Sequence, residues 1–344
     1  MSFAGPWHLR CSVQFLDEIA EALYDGGAWV TSDASFPQGL TEAVCDRLLG
    51  ERWQVKPIVF PADASLPVAV LAAHFGVLPS RLALATAALS QNAAVLDLRK
   101  LTDEPVEIWT DFVESYAQTR RTTGTGLSLL VMARSQAPTA LRTLSWRARI
   151  RRADAGLWAD IHAQNDRPEP LGNLIHAIAV ELLGWRLDLA QSFMQAGLQD
   201  VLDPLGWLER RTDNPAQSEI EFNGRPFACP LALRHKGAQE ELRNRLWRAH
   251  LATVFPWIEE KRQLILDRYA AKLAVSDHHK ERYGVTDVWE LEISDIARQL
   301  HKLGIVPREV QDGYFAMGRI RKALAHRKHA QPWDLRDALR LTAD

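Results

Sequence analysis

Ala28-Trp29-Val30-Thr31-Ser32-Asp33-Ala34-Ser35-Phe36-Pro37-Gln38-Gly39-Leu40-Thr41 opens as a short apolar run, crosses a polar stretch holding Pro37 and Gly39, and enters a helical pattern over residues 40–49. A buried strand, a loop and a helix in that order predict the start of an α/β unit. The preceding residues fit. Phe15, Leu16, Ile19, Ala22 and Leu23 recur at helical spacing, and Gly26-Gly27 supplies a stop. Downstream, the apolar runs Ile58-Val59-Phe60, Ala94-Val95-Leu96-Asp97-Leu98 and Leu127-Ser128-Leu129-Leu130-Val131-Met132 alternate with helical patterns at 66–75, 79–90 and 105–119. Strands alternating with helices predict a parallel sheet with helices on its faces. This α/β domain is expected over residues 10–150.

In such a domain, the loop between the first strand and its helix is where backbone N–H groups and a helix start gather around an anion. Nucleotide-binding loops at that place read G-x-x-x-x-G-K-S/T, with lysine on phosphate and the hydroxyl on magnesium. Here Ser32 to Thr41 keeps Gly39 and Thr41 but has Leu40 in place of the lysine, and Asp33 and Glu42 add negative charge. The run ending Val131-Met132-Ala133-Arg134-Ser135 carries no Asp-Glu pair to hold a metal and polarise water. The outline resembles the first strand, loop and helix of AAA or STAND-type P-loop NTPases. Its departures imply a degenerate P-loop that has lost its nucleotide chemistry, so no cofactor is expected.

From residue 150 the pattern becomes helical, at Leu171 to Leu183, Trp185 to Ala196, and Leu198 to Arg210 with an interruption at Pro204. The P-loop resemblance implies that residues 151–237 form a helical lid-like region and a linker, the latter marked by Asp213-Asn214-Pro215, Asn223-Gly224-Arg225-Pro226 and Cys229-Pro230. A helical domain is expected over 238–344. A long helix runs from Ala238 to Leu273 with a kink or break at Pro256, a second covers Val288 to Leu303, a third starts at Pro307, and the last begins at Trp333 or Asp334. His176 has no second ligand at i+3 or i+4 and reads as a packed histidine. The adjacent His278 and His279 point to different sides of any regular element, so no metal site is expected.

Near the end stands Gly318-Arg319-Ile320-Arg321-Lys322-Ala323-Leu324-Ala325-His326, followed by Gln331-Pro332-Trp333-Asp334. Composition alone yields about three Arg-to-His spacings of this kind. Four occur, from Arg319 and Arg321 to His326 and from Arg243 and Arg245 to His250, so the surroundings must choose among them. Trp289-Glu290-Leu291-Glu292-Ile293 opening one helix, the Arg-to-His segment on the next, then Pro332 and a last helix resemble the HEPN superfamily. That resemblance implies Arg321 and His326 as the catalytic pair of a metal-independent ribonuclease, with Glu290 or Glu292 as acidic support. His would move protons and Arg would stabilise a charged phosphorane. One departure stands out: Lys322 follows the arginine, where HEPN nucleases favour a polar residue, usually Asn.

Composition narrows the classes. A net charge of −2 gives no overall field for nucleic acid, and any such contact must come from a local patch. Residues 319–340 supply one, with seven Arg or Lys against Asp334 and Asp337, suited to RNA or to an acidic partner. Three scattered cysteines, Cys11, Cys45 and Cys229, support neither a disulfide framework nor a zinc motif. Residues 1–10 lack the form of a signal peptide, and no apolar run is long enough to span a membrane. A cytoplasmic bacterial protein is expected, consistent with 32 Arg against 9 Lys as the mark of a GC-rich genome. Together the two resemblances imply a regulatory or scaffolding component of a phage-defence or stress system. Its partners would be other protein subunits of that system, or a second copy paired through the C-terminal helices.

Overall fold

The computed structural model describes residues 5–31, 36–49, 52–61, 65–134, 140–146, 149–164, 167, 169–213 and 219–342. The chain forms two compact units, Met1–Asp154 with Ile220–Gly224, and Ala155–Glu219 with Arg225–Asp344.

The first unit is α/β. Its elements are α1 (Arg10–Tyr24), β1 (Gly27–Thr31), α2 (Leu40–Leu48), β2 (Gln54–Pro57), α3 (Pro67–Phe75), α4 (Arg81–Leu84), β3 (Asn92–Asp97), α5 (Asp103–Thr123), β4 (Ser128–Ala133) and β5 (Arg142–Ser145). The sheet has the order β2-β3-β4-β1-β5, and every neighbouring pair is parallel. The central strands are covered on both faces, which is why they read as continuous apolar runs; β4 is buried at every position. On one face Trp29, Leu96 and Val131 pack with Leu71 of α3 and with Trp109, Phe112, Val113 and Tyr116 of α5. On the other, α1 lies against β1 and β4, and α2 against α1 and β2. Gly27 has φ 154°, and a Cβ there would stand 2.5 Å from the Leu129 carbonyl, so only glycine lets β1 approach β4 this closely.

Two expectations for this unit shift. The strand expected at Ile58-Val59-Phe60 is β2, four residues earlier; residues 58–60 only continue it, through Ile58 N–H to Val95 O at 3.0 Å. The edge strand β5 was not legible, because only Leu144 of its four residues is buried. Of the loop read at Ser32 to Thr41, residues 32–35 lie outside the described set, as do Ser135, residues 1–4 and residues 214–218.

After α6 (Arg152–Ile161), the second unit is mainly helical; β6 (Glu219–Phe222) falls, but for Glu219, in the first. The second contains α7 (Leu171–Ile178) continued by a π-turn at Ala179–Leu183, α8 (Leu187–Met194), α9 (Leu198–Leu202), α10 (Pro204–Glu209), β7 (Arg225–Ala228), α11 (Pro230–His235) and α12 (Gln239–Tyr269). Then come α13 (Asp277–Tyr283), α14 (Ile293–Lys302), α15 (Arg308–Ala325) and α16 (Pro332–Leu339). The helix α12 packs on α7 and its π-turn and on α15. Ile293, Ile296 and Leu300 of α14, Met317, Ile320 and Leu324 of α15, and Leu335 of α16 are all buried. No helix is long and apolar enough to cross a membrane among the described residues.

Two corrections apply here. No break occurs at Pro256, through which α12 continues. Its ring lies on the exposed face, where water can satisfy the orphaned carbonyl, while Val254, Trp257 and Ile258 beside it are buried and hold the helix. Nor does a helix begin at Val288. Asp287 caps a single 3-10 turn at Val288–Glu290, Leu291 and Glu292 are extended, and α14 starts at Ile293. The short helix α13 was not foreseen; Ser276 caps it by accepting from His279 N–H.

Candidate functional site

Two places hold the residues singled out by the sequence, one in each unit. In the first unit the chain leaves β1 for the far edge of the sheet, steps back through β3 to β4, and then crosses to β5 on the other side of β1. Connections from the adjacent strands β1 and β4 therefore run in opposite directions. In a parallel sheet this opens a crevice at the carboxyl ends of the strands, where ligands bind. A cavity of about 320 Å³ occupies that position, lined by Gly39, Leu40 and Thr41 at the start of α2, by Asp97, Arg99 and Lys100 after β3, and by Met132 of β4.

Asp97 is the residue that sequence reasoning missed. P-loop enzymes hold magnesium with a loop hydroxyl and an acid at a strand end, and that acid was sought after β4. The sheet puts β3 beside β4, with Asp97 opposite Met132. The signal was present in Ala94-Val95-Leu96-Asp97, an apolar run ending in a carboxylate. This carboxylate is not free, however. Arg99 donates to it twice, at 2.7 and 3.0 Å, and Lys100 stands at 3.6 Å. Burial would raise the Asp97 pKa, but the hydrogen bonds and charge of Arg99, with Lys100, outweigh it and hold the group below the usual aspartate value. Leu40, where a phosphate-binding lysine would stand, is buried. The acid at this crevice is thus neutralised within the protein. Thermal unfolding at about 1 mM MgATP is expected to match that without nucleotide, whereas a Kd near 10 μM would add about 2.7 kcal/mol of stability.

In the second unit, Arg321 lies on the last turns of α15, with its guanidinium between two elements. It donates from Nε to Glu259 of α12 at 2.5 Å and from Nη1 to both carboxylate oxygens of Glu292. Glu259 also accepts from Arg262 Nε at 3.0 Å, and Arg262 reaches the carbonyls of Trp289 at 2.8 Å and Leu291 at 3.3 Å. Burial alone would lower the Arg321 pKa, but the two carboxylates outweigh it and raise the pKa above the ordinary arginine value. The result is a charge network that ties α12, the segment before α14 and α15 together. Of the two acids expected nearby, Glu292 meets Arg321. Glu290 instead accepts from the Asp287 N–H at 3.4 Å as half of a capping box, and from the Thr286 N–H at 2.9 Å.

His326 terminates α15 as its C-cap, with its side chain exposed. No hydrogen bond or ion pair brings its side chain to Arg321 among the described residues. The second spacing match lies in the interior. Arg245 is 1% exposed, lies 3.5 Å over the Phe227 ring, and donates to Glu241 at 2.8 Å and to Ala228 O at 3.0 Å. His250 is fully buried and accepts the Ala330 N–H at 3.0 Å on Nδ1, while its Nε2 has no hydrogen-bond partner among the described residues.

His176 and His279 are engaged. His176 Nε2 lies 3.1 Å from Asp160 and 3.2 Å from Gly156 O. His279 contacts Ser276 Oγ at 2.6 Å and Asp295 at 3.1 Å, with the His278 ring 6.0 Å away. Among the described residues, no group of three His, Cys, Asp or Glu is placed to hold a metal. All three cysteines are free; burial, followed by the charge of Asp154, pushes the Cys11 thiol up to about 12. No protein-family model matches the sequence, and no curated protein matches it significantly.

Proposed function

We propose that this chain is a regulatory or scaffolding component of a bacterial conflict system, serving phage defence or a stress response, and that it acts through contacts with other protein subunits. In this account the α/β unit is a degenerate AAA or STAND-like P-loop module, and the C-terminal helices form a HEPN-like bundle. The strand order, the crevice at Gly39 to Thr41 and the acid at the end of β3 support the first likeness. The run from Glu292 through α15 to α16 supports the second.

The observation that carries the proposal is the pairing of Arg321 with Glu259 and Glu292. A guanidinium already compensated by two carboxylates has little attraction left for a developing phosphorane, so the residue acts here as a structural clamp. The enzyme alternative, a metal-independent ribonuclease using Arg321 and His326, draws its support from the exposed His326 beside Arg327 and Lys328. It requires Arg321 to leave both acids.

Tagged full-length chain purified from its native cell is expected to carry the products of adjacent genes in fixed stoichiometry. Recovery of the chain alone, with RNA-cleaving activity in the same fractions, would favour the enzyme instead.

A further inference from the structure

A second cavity in the α/β unit adjoins the strand-end crevice at Gln38, Gly39 and Glu42 and has no role in the function proposed above. It measures about 690 Å³, in the range of pockets that enclose small organic ligands. Its apolar lining comes from Trp7, Val13 and Leu16, and its charge from Glu42, Asp46 and Arg47, with His8 beside Trp7.

Trp7 is seated there by specific contacts. Its indole N–H donates to Gln38 O at 2.7 Å, and its ring packs against Trp146 at 5.3 Å and Phe36 at 6.1 Å between centroids. Two glycines make room for it. A Cβ on Gly5 would lie 2.9 Å from the indole nitrogen, and one on Gly39, already at φ 84°, would lie 3.2 Å from it. The indole therefore forms a positioned wall that remains partly open to the cavity.

Glu42 and Asp46 are four residues apart on α2 and so project from the same side of the helix. Both are exposed. Arg47, which lines the same cavity, is paired with Asp17 at 2.7 Å, so its charge is met by a third carboxylate. Their field is felt locally: after burial, the charges of Asp46 and Glu42 push the Cys45 thiol up.

An aromatic wall, an apolar floor and two carboxylates at one rim select for positive charge attached to an apolar body. They repel phosphate. We infer that this cavity binds an organic cation, an ammonium or guanidinium compound whose apolar part lies on Trp7 and Leu16 and whose charge meets Glu42 and Asp46. Such a site would give the α/β unit a small-molecule input beside the strand-end crevice.

The test is calorimetric titration of the full chain with tryptamine, with indole-3-acetate, which has the same ring and the opposite charge, and with ATP. Saturable binding of tryptamine is expected, roughly tenfold or more tighter than that of either anion. The paired substitution Glu42→Gln with Asp46→Asn should weaken tryptamine roughly tenfold at an unchanged unfolding midpoint, since both side chains are exposed. Trp7→Leu should weaken it as well. Equal binding of indole-3-acetate, unchanged affinity in the carboxamide pair, or no saturable heat with tryptamine would each overturn the assignment.

Discussion

Taking this protein from pH 7 to pH 5 is expected to lower its unfolding free energy by about 2 kcal/mol through one residue, His250. The ring is fully buried between α12 and the segment before α16. Its Nδ1 accepts the Ala330 N–H, so the proton of the neutral ring sits on Nε2. Protonation would place a second donor against that N–H and a charge in the core. Burial, with a smaller contribution from His329 at 6.4 Å between ring centroids, lowers the pKa to about 3. An unfolded histidine titrates near 6.5. As pH falls through that value the unfolded chain takes up a proton that the folded chain refuses, and stability drops until the folded pKa is reached. His329, lowered by burial and by Arg243, adds to the loss with the same sign. The paired carboxylates Asp97, Asp213 and Glu259 are lowered too, but their contribution is lost mainly below the ordinary carboxylate range, outside this window. Urea unfolding at pH 5, 6 and 7 isolates the effect. His250→Asn keeps an acceptor for Ala330 and cannot titrate, so its stability should vary far less than that of the wild type. Equal pH dependence in both proteins would show that His250 is not the source.

Arg321→Ala should cost about 2 kcal/mol, within the range for hydrogen bonds to charged groups and discounted for partial exposure. The arginine is 29% exposed, and its removal leaves Glu259 with Arg262 alone and Glu292 without its clamp. Three elements lose a common tie. Arg321→Lys should recover about half of the loss, since an ammonium cannot match the guanidinium's two-sided geometry. Arg340→Ala is the control: its pair with Asp337 is at 3.5 Å on an arginine 73% exposed, and its loss should cost about 0.3 kcal/mol. If Arg321→Ala unfolds at the same denaturant concentration as the control, the network is not a structural clamp.

The parallel sheet was legible because its central strands are buried on both faces and leave long apolar runs. Edge strands do not. The strand β5 buries only Leu144, and β2 is exposed at both Gln54 and Pro57. Helix ends were less legible than helix faces. Trp289 to Glu292 has helical composition, but the turn that Asp287 and Glu290 open with a capping box lasts three residues and ends where Leu291 becomes extended. Pro256 reads as a kink or break because local propensity argues for one, and burial on either side of it carries the helix through without a break. The partners of Arg321 could be found only in part. Glu292 lay in the segment already suspected, whereas Glu259 is 62 residues away on a helix whose charged face looked merely solvated. Spacing motifs record neighbours along the chain, and the charge of this arginine is balanced from elsewhere in the fold. The same holds for Asp97, whose meaning depends on β3 lying beside β4.

In the proposed function α15 holds its place in the fold with Arg321 committed to Glu259 and Glu292. Incubation of the purified full chain with labelled RNA in the presence of EDTA tests this directly. The expected result is intact RNA, for the wild type and for Arg321→Ala and His326→Ala alike. Cleavage by the wild type that leaves 2′,3′-cyclic phosphate ends and disappears in both variants would contradict it.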